Sequence, residues 1–390
     1  MGGSQSSLPP APLGCEYMCI AIREPDKLRI ILGTDQEANI VRQIIQESWP
    51  MGIQKESFKL NGVYKFKLKG WPFETSSLTE AVHCRQMAER ILHRLHRNGW
   101  HLQISSDLTQ TKDLSTWFFR KVPEVTNFSS QPFLVVGLSS SDSLMVLNAP
   151  VDLHQLLKNA ISKSWRSGIQ KWSYENDVLL IKLKGFPWCP DGSETVHSRV
   201  VLQAVIHDLS QKQWHLYGNS NLKSTANTLF FKYEPDMSSS SVSHPLPPPW
   251  HFTISLNSND LLRVIDAPES LIPTIRDIIQ TSWYRGIQAV SRYAGSWEFK
   301  LKGTPWWADG IETVEARILI LKLMEMLHAV GWSPIASIDS SRKVTDKSSL
   351  IFRQSQPRQS PFFCLSLHKT DTLRLINAHE DVARVCCKCN

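Results

Sequence analysis

Apolar and polar positions along this chain fall into short blocks whose period changes, and the series of blocks then starts again. Phe133–Leu138 and Leu144–Leu147 are short apolar runs joined by a Ser/Asp-rich stretch, which predicts a β-hairpin. Over Val151–Trp165 the apolar residues Leu153, Leu156, Leu157, Ala160 and Ile161 recur at three- and four-residue spacing, the mark of an amphipathic helix. Val178–Leu183 reads as a strand running into a turn at Gly185. Glu194–Leu209 carries Val196, Val200, Val201, Ala204 and Val205 on one face and reads as a second helix. Trp214–Tyr217 and Thr228–Lys232 are further strands. The predicted order is β-β-α-β-α-β-β. Such a unit is α+β, with two helices on a mixed or antiparallel sheet.

The series recurs in register. Trp49, Trp165 and Trp283 lie 116 and 118 residues apart, and each precedes a Gly-Ile-Gln that begins at Gly52, Gly168 or Gly286. Three copies of Lys-Leu-Lys-Gly follow, at 67–70, 182–185 and 300–303, each with a proline two residues on (Pro72, Pro187, Pro305). Glu-x-Val-x-x-Arg comes next, as Glu80 with Arg85, Glu194 with Arg199 and Glu312 with Arg317, and Trp100, Trp214 and Trp332 close the segment. Matches this dense at a fixed period mark a tandem repeat of about 115 residues.

The expected organisation is a disordered leader over 1–15 and modules at 16–121, 132–234 and 250–354. A Ser/Pro-rich linker covers 235–249, and a truncated fourth unit with a Cys-rich tail covers 361–390. Lys121–Gln131 and Gln354–Ser360 have linker composition as well, so the modules read as separate bodies on flexible tethers. In the fourth unit the repeat stops after Val385. This fits a splice product of a longer chain in which Cys386–Asn390 replaces the remainder.

Composition narrows the class. The 390 residues are 42% apolar and 20% charged, as in folded proteins, and the net charge of +7 is a mild excess. No apolar run of about 18 residues is present, and no basic-then-apolar signal peptide opens the chain. Only Cys84, Cys189 and Cys364 fall within the repeats, at unmatched positions. A disulfide framework would repeat with the module, so a reducing, cytoplasmic setting is expected.

Met1-Gly2-Gly3-Ser4-Gln5-Ser6 fits the N-myristoylation pattern at Gly2, with Cys15 and Cys19 as candidate S-acylation sites, although no polybasic run supports the anchor. The competing reading of this stretch is a plain Gly/Ser/Pro leader. The lysine pairs Lys67/Lys69, Lys182/Lys184 and Lys300/Lys302 alternate with apolar residues and so share one strand face. They are either the solvated side of a half-buried strand or contacts for acidic lipid headgroups.

Beyond each pair lies an aromatic-proline loop: Trp71-Pro72-Phe73, Phe186-Pro187-Trp188 and Thr304-Pro305-Trp306-Trp307. Exposed, these rings suit peptide binding; buried, they cap the core. Fourteen tryptophans, mostly at repeated positions, favour burial, and exposure of Trp188 and Trp306 below a tenth would assign them to the core. The glutamates suit the first turn of a helix. The arginines five residues on are misplaced to pair with them and reach toward a neighbouring strand or an anion. Gln54, Gln170 and Gln288 are expected to bond the backbone of a turn after the first helix.

Motifs of catalysis are missing. There is no Gly-rich phosphate loop, His-Glu-x-x-His or Gly-x-Ser-x-Gly, and His83 and His197 are replaced by Glu315 in the third copy. Cys386 and Cys389 have no second pair to complete a zinc site, and the Cys387–Asn390 tail makes a poor prenylation box. The sequence therefore predicts a non-enzymatic cytoplasmic adaptor or scaffold for protein or peptide ligands, without a cofactor or metal. The alternatives are a myristoylated peripheral protein on an acidic membrane surface and an enzyme with its site between modules. Nucleic acid is not expected as a partner.

Overall fold

A computed structural model describes residues 16–59, 62–108, 113–122, 130–175, 177–223, 226–235, 250–340, 347–369 and 371–387. Module 1 runs β1 (Tyr17–Arg23), β2 (Lys27–Ile31), α1 (Asp35–Ser48), β3 (Ile53–Lys59), β4 (Val63–Leu68), α2 (Leu78–Arg97), β5 (Trp100–Ser106) and β6 (Asp113–Lys121). Module 2 repeats this as β7 (Leu134–Ser139), β8 (Ser143–Leu147), α3 (Val151–Ser164), β9 (Ile169–Glu175), β10 (Val178–Leu183), α4 (Glu194–Ser210), β11 (Trp214–Lys223) and β12 (Ala226–Tyr233). Module 3 comprises β13 (His251–Asn257), β14 (Leu261–Ile265), α5 (Ile272–Ser282), β15 (Ile287–Tyr293), β16 (Ser296–Leu301), α6 (Glu312–Ala329), β17 (Trp332–Ile338) and β18 (Ser349–Gln354). A last hairpin, β19 (Cys364–His368) with β20 (Thr372–Ile376), precedes α7 (Glu380–Cys387).

The α+β class and the tandem repetition are as expected, and each sheet is wholly antiparallel. The order in module 1 is β3-β4-β2-β1-β6-β5, and the other two sheets match it. One correction applies to every module: a further strand, β3, β9 or β15, follows the first helix, giving β-β-α-β-β-α-β-β. It escaped the periodicity reading because it is an edge strand with little buried surface. Ile53-Gln-Lys-Glu-Ser-Phe-Lys has no fully buried residue, so no apolar alternation marks it.

The glutamines expected in a turn sit in this strand instead. Gln54 falls between Ile53↔Leu68 and Lys55↔Lys67, and Gln170 and Gln288 are the same unpaired extra residue of a β-bulge. The opposite edge is bulged too, at Gln103, Tyr217 and Ile335.

The recurrent tryptophan closes each module. Trp49 ends α1 with its backbone N–H on the Ile45 carbonyl (2.9 Å), and Trp165 and Trp283 do the same on Ile161 and Ile279. Each indole is buried, and its Nε1–H donates to the carbonyl of Lys69 (2.8 Å), Lys184 (2.8 Å) or Lys302 (2.9 Å). The glycine three residues on returns the tie. Gly52 N–H donates to the Trp49 carbonyl (2.9 Å), and its own carbonyl accepts the Lys69 N–H (3.0 Å). Gly52, Gly168 and Gly286 hold φ of 69°, 79° and 71°, a left-handed conformation that favours glycine.

The modules are not beads on tethers. In β1 and β2 full burial alternates with partial exposure, as in a sheet covered on one side, whereas Leu134–Leu138 of β7 are buried throughout. Phe133, Val135, Met145 and Leu147, on the outer face of module 2, belong to the apolar cluster built by module 1. Ile338 and Ile351 of module 3 likewise join the cluster of module 2. The linker composition at 121–131 misleads because residues on either side of it are held in a packed junction.

That junction has a recurring element. The second helix of each module lies on the first hairpin of the next, and the residues facing across it are four apart: Ala81, Arg85 and Glu89 on α2, and Thr195, Arg199 and Gln203 on α4. Arg85 bonds its own Ala81 carbonyl (3.2 Å) and reaches the Leu138 carbonyl (2.9 Å). A Cβ at Gly137 would lie 2.2 Å from Arg85 Nε, so any larger residue there would push that guanidinium aside. Arg199 donates to Ser349 Oγ (2.9 Å), while Gln203 bridges the His251 carbonyl and Thr253 Oγ1. On α6, Thr313 Oγ1 accepts from Arg374 of β20 at 3.1 Å. Arg85 and Arg199 thus hold the next unit, one of the two roles open to the repeat's arginines from sequence, while Arg317 bonds the Thr313 carbonyl of its own helix at 2.6 Å.

Glu89 is buried at the first junction and accepts the Phe133 N–H at 2.8 Å. Burial pushes its carboxyl up from 4.5 to about 7 despite that bond. A carboxyl with a raised folded-state pKa binds more protons folded than unfolded between those two values, so stability falls as pH rises through the window and levels off above it. A shift of this size corresponds to about 3 kcal/mol. Glu89→Gln should therefore gain on the unsubstituted protein by up to about 3 kcal/mol between pH 4.5 and 8. Buried His96, pulled down to about 3 by desolvation, has the opposite slope but is common to both proteins and cancels in the difference. Denaturant melts at the two pH values measure this, and parallel stabilities would refute it.

Candidate functional site

The aromatic-proline loop is fixed at both ends by the module's frame. Its start is the glycine after the lysine pair, Gly70, Gly185 or Gly303, with φ of 73°, 79° and 80°. At the residue right after the proline the backbone is already pinned to the first hairpin. Phe73 N–H donates to the Pro25 carbonyl (3.2 Å), Trp188 N–H to Ser141 (3.0 Å) and Trp306 N–H to Asn259 (3.0 Å). The two indoles add a second bond each, Trp188 Nε1–H to the Ser143 carbonyl (2.9 Å) and Trp306 Nε1–H to Leu261 (2.9 Å).

This geometry divides the six candidate rings into two sets. Phe73, Trp188 and Trp306, the rings right after proline, are 1%, 1% and 8% exposed and belong to the core. As ligand contacts these three are corrected: a ring whose surface is already against the hairpin has none to offer a partner. Trp71, Phe186 and Trp307 are 65%, 62% and 70% exposed, large apolar groups standing in water on a rigid stem. The loop is thus amphipathic residue by residue, with one ring as anchor and another as outward surface.

The lysine pairs divide as well. Lys67, Lys182 and Lys300 lie 3.6, 3.5 and 3.9 Å from Asp26, Asp142 and Asp260, which sit in the turn of the same module's first hairpin. Half-exposed pairs of this kind contribute about 0–1 kcal/mol, but they occupy the first lysine of each pair. Lys69, Lys184 and Lys302 give their backbone to the tryptophan tie and extend exposed side chains beside the loop. Each module accordingly offers one exposed cation close to its loop rather than a pair on a common face.

Gly2 and Cys15 lie outside the described residues. Cys19 is on β1, part-buried, and burial pushes its thiol up to about 11, so it is protonated at neutral pH. Cys19, Cys84, Cys189, Cys364 and Cys386 are free thiols. Among the described residues no group of three or more His, Cys, Asp or Glu side chains is placed to hold a metal ion. Among them, too, no helix is long and apolar enough to cross a membrane.

A cleft of about 420 Å³ opens at the junction of modules 2 and 3, lined by Gln203, His207, His251, Asp266, Arg292 and Trp297 among others. Burial raises the Asp266 carboxyl, which accepts from Gln203 Nε2 at 3.2 Å. His207 and His251 approach ring nitrogen to ring nitrogen at 3.2 Å. These groups bind one another across the junction, as a packed seam requires. The sequence signal missed for the junction was the four-residue spacing on the second helix, together with the unbroken apolar run of Leu134–Leu138.

A domain family's sequence model matches the chain three times, at residues 16–120, 132–237 and 250–353. These matches take in most of the chain, which belongs to that family as a protein with three copies of its domain. Neither a curated protein nor a solved structure matches the chain.

The split of the loop makes a stability contrast. Trp188→Ala should cost about 3–5 kcal/mol, from a lost core ring, and it leaves the Ser143 carbonyl without its indole partner. Phe186→Ala, two positions earlier, should stay within about 0.5 kcal/mol of the parent. Denaturant unfolding of the two variants decides it, and similar losses in both would contradict the assignment.

Proposed function

We propose that this protein is a non-enzymatic scaffold whose three loops contact protein or peptide ligands through Trp71, Phe186 and Trp307. The observation that carries the reading is the repeated exposure of one large aromatic on a loop whose neighbouring ring is locked in the core. An exposed indole or phenyl on a rigid stem loses little conformational entropy on binding, which is why such rings dominate binding hot spots. Lys69, Lys184 and Lys302 beside them favour ligands with acidic residues near an apolar anchor. Packing between modules sets the spacing of the three loops, so a ligand with repeated anchors gains from engaging more than one. Its setting is proposed to be cytoplasmic, consistent with the free thiols.

The test is the triple variant Trp71→Ala, Phe186→Ala and Trp307→Ala, compared with the parent in quantitative affinity capture. Partners held by the parent should fall at least about tenfold in the variant, a change of about 1.4 kcal/mol or more, with the melting temperature unchanged. An unaltered set of partners with an intact fold would remove the loops from the binding surface.

A further inference from the structure

The outer face of the module 1 sheet holds a charge arrangement that the other modules lack. Strand register places Lys27, Arg29, Lys55, Lys59 and Lys65 together on that face, over β2, β3 and β4. Like charges face each other directly across strands at Arg29↔Lys65, an arrangement that is destabilising on its own. The same register positions are Ser143, Met145, Lys171, Glu175 and Leu180 in module 2, and Leu261, Arg263, Ala289, Tyr293 and Glu298 in module 3. Five positions that carry five positive charges in module 1 are therefore neutral in sum in each of the others. Among the described residues none of the five makes an ion pair. The Lys65 ammonium lies below the usual lysine value, first through partial burial and then through Arg29, Lys27, Lys59 and Lys55.

In the other units the first hairpin, whose second strand borders this face, receives a helix. Arg263 stands where Arg29 does, is buried, donates to Thr195 Oγ1 of α4 at 2.8 Å, and is neutralised within its own sheet by Glu298 at 2.7 Å. Arg374 of the last hairpin makes the matching bond to Thr313 of α6. At Arg29 the position of that glutamate is filled by Lys65, so any neutralising acid has to come from outside the module.

We propose that the outer face of β2, β3 and β4 in module 1 is a docking site for an α-helix of a partner protein that carries carboxylates at four-residue spacing. Its geometry is that which the chain itself uses at each junction, where residues at i, i+4 and i+8 of a helix meet the first hairpin; the shared strand is β2 with Arg29, and the cations of β3 and β4 extend the surface beside it. The second helices of another copy do not supply it, because α2, α4 and α6 already carry the next hairpin. The inference deepens the scaffold reading by naming a partner class, and its surface is distinct from the loops.

The probe is a hydrocarbon-stapled peptide with the sequence of residues 194–210 and the seam substitutions Thr195→Glu, Arg199→Glu and Gln203→Glu. Its control has Thr195→Gln and Arg199→Gln, with Gln203 kept. Fluorescence polarisation with the full chain should show salt-sensitive binding of the acidic peptide, at least about tenfold tighter than the control. Lys65→Glu, which rebuilds the Arg–Glu pair of module 3, should weaken binding about tenfold or more with no loss of melting temperature. The double variant Lys27→Ser and Lys55→Ala, bearing residues found at those positions in modules 2 and 3, should do the same. No binding of the acidic peptide at low salt, equal binding of both peptides, or indifference to these variants would overturn the proposal. So would flotation of the chain with phosphatidylserine vesicles that is lost in Lys65→Glu while peptide binding is not. The loop variant Trp71→Ala, Phe186→Ala and Trp307→Ala should keep peptide binding, so the failure of either surface leaves the other readable.

Discussion

An indole N–H donated to a lysine carbonyl holds the end of the first helix against the strand that leads into the loop, in each of three modules. Around it the glycine with positive φ and the lysine amide complete a closed set of bonds, so the residues that define the repeat in sequence are largely those of one structural tie. A buried indole that failed to find an acceptor would forfeit much of what its ring contributes. The tie therefore fixes helix, edge strand and loop relative to one another. The lysines count here for their backbone as much as for their charge.

From that tie follows the loop's mixed character. Its glycine turns the chain out, the proline stiffens the next step, and the following ring drops back under the hairpin. What stays outside is whichever large residue the module carries next to that anchor, Trp71 and Phe186 before it and Trp307 after it. The second helix then has two faces to satisfy, one toward its own sheet and one toward the hairpin of the next unit. This is why buried positions surround much of α4: Val201, Leu202 and Val205 but also Ser198, Arg199 and Gln203.

Much of this was legible in the residues. Period-2 and period-3.6 blocks found the hairpins and helices, and fixed-distance matches found the repetition. The edge strand was not legible, because a strand that buries no side chain leaves no alternation to read. The junctions left a clear trace in the unbroken Leu134–Leu138 run, yet a linker composition next to it pointed the other way. The fate of the loop rings could not be read from their type, since Trp188 and Trp307 are the same residue with opposite surroundings; position relative to proline decided it. Charge was harder still. Lys67 and Lys65 look alike in sequence, and each faces a like charge across the strands, Lys27 and Arg29, but only Lys67 also lies beside an acid, Asp26 of the hairpin turn.

The bulged edges have a consequence for how such a chain survives its own synthesis. Three open six-stranded sheets on a single polypeptide are present to one another at very high local concentration, and unpaired edges of like sequence are templates for wrong partnering. Each of these sheets has an extra residue in both outermost strands, and the β3 edge adds lysine and glutamate to it. A bulge bends and twists the strand away from the straight ladder a neighbour would need. Repetition, which gives this protein its three loops, would otherwise favour zipping between modules; the irregular rim keeps each sheet from recruiting its siblings.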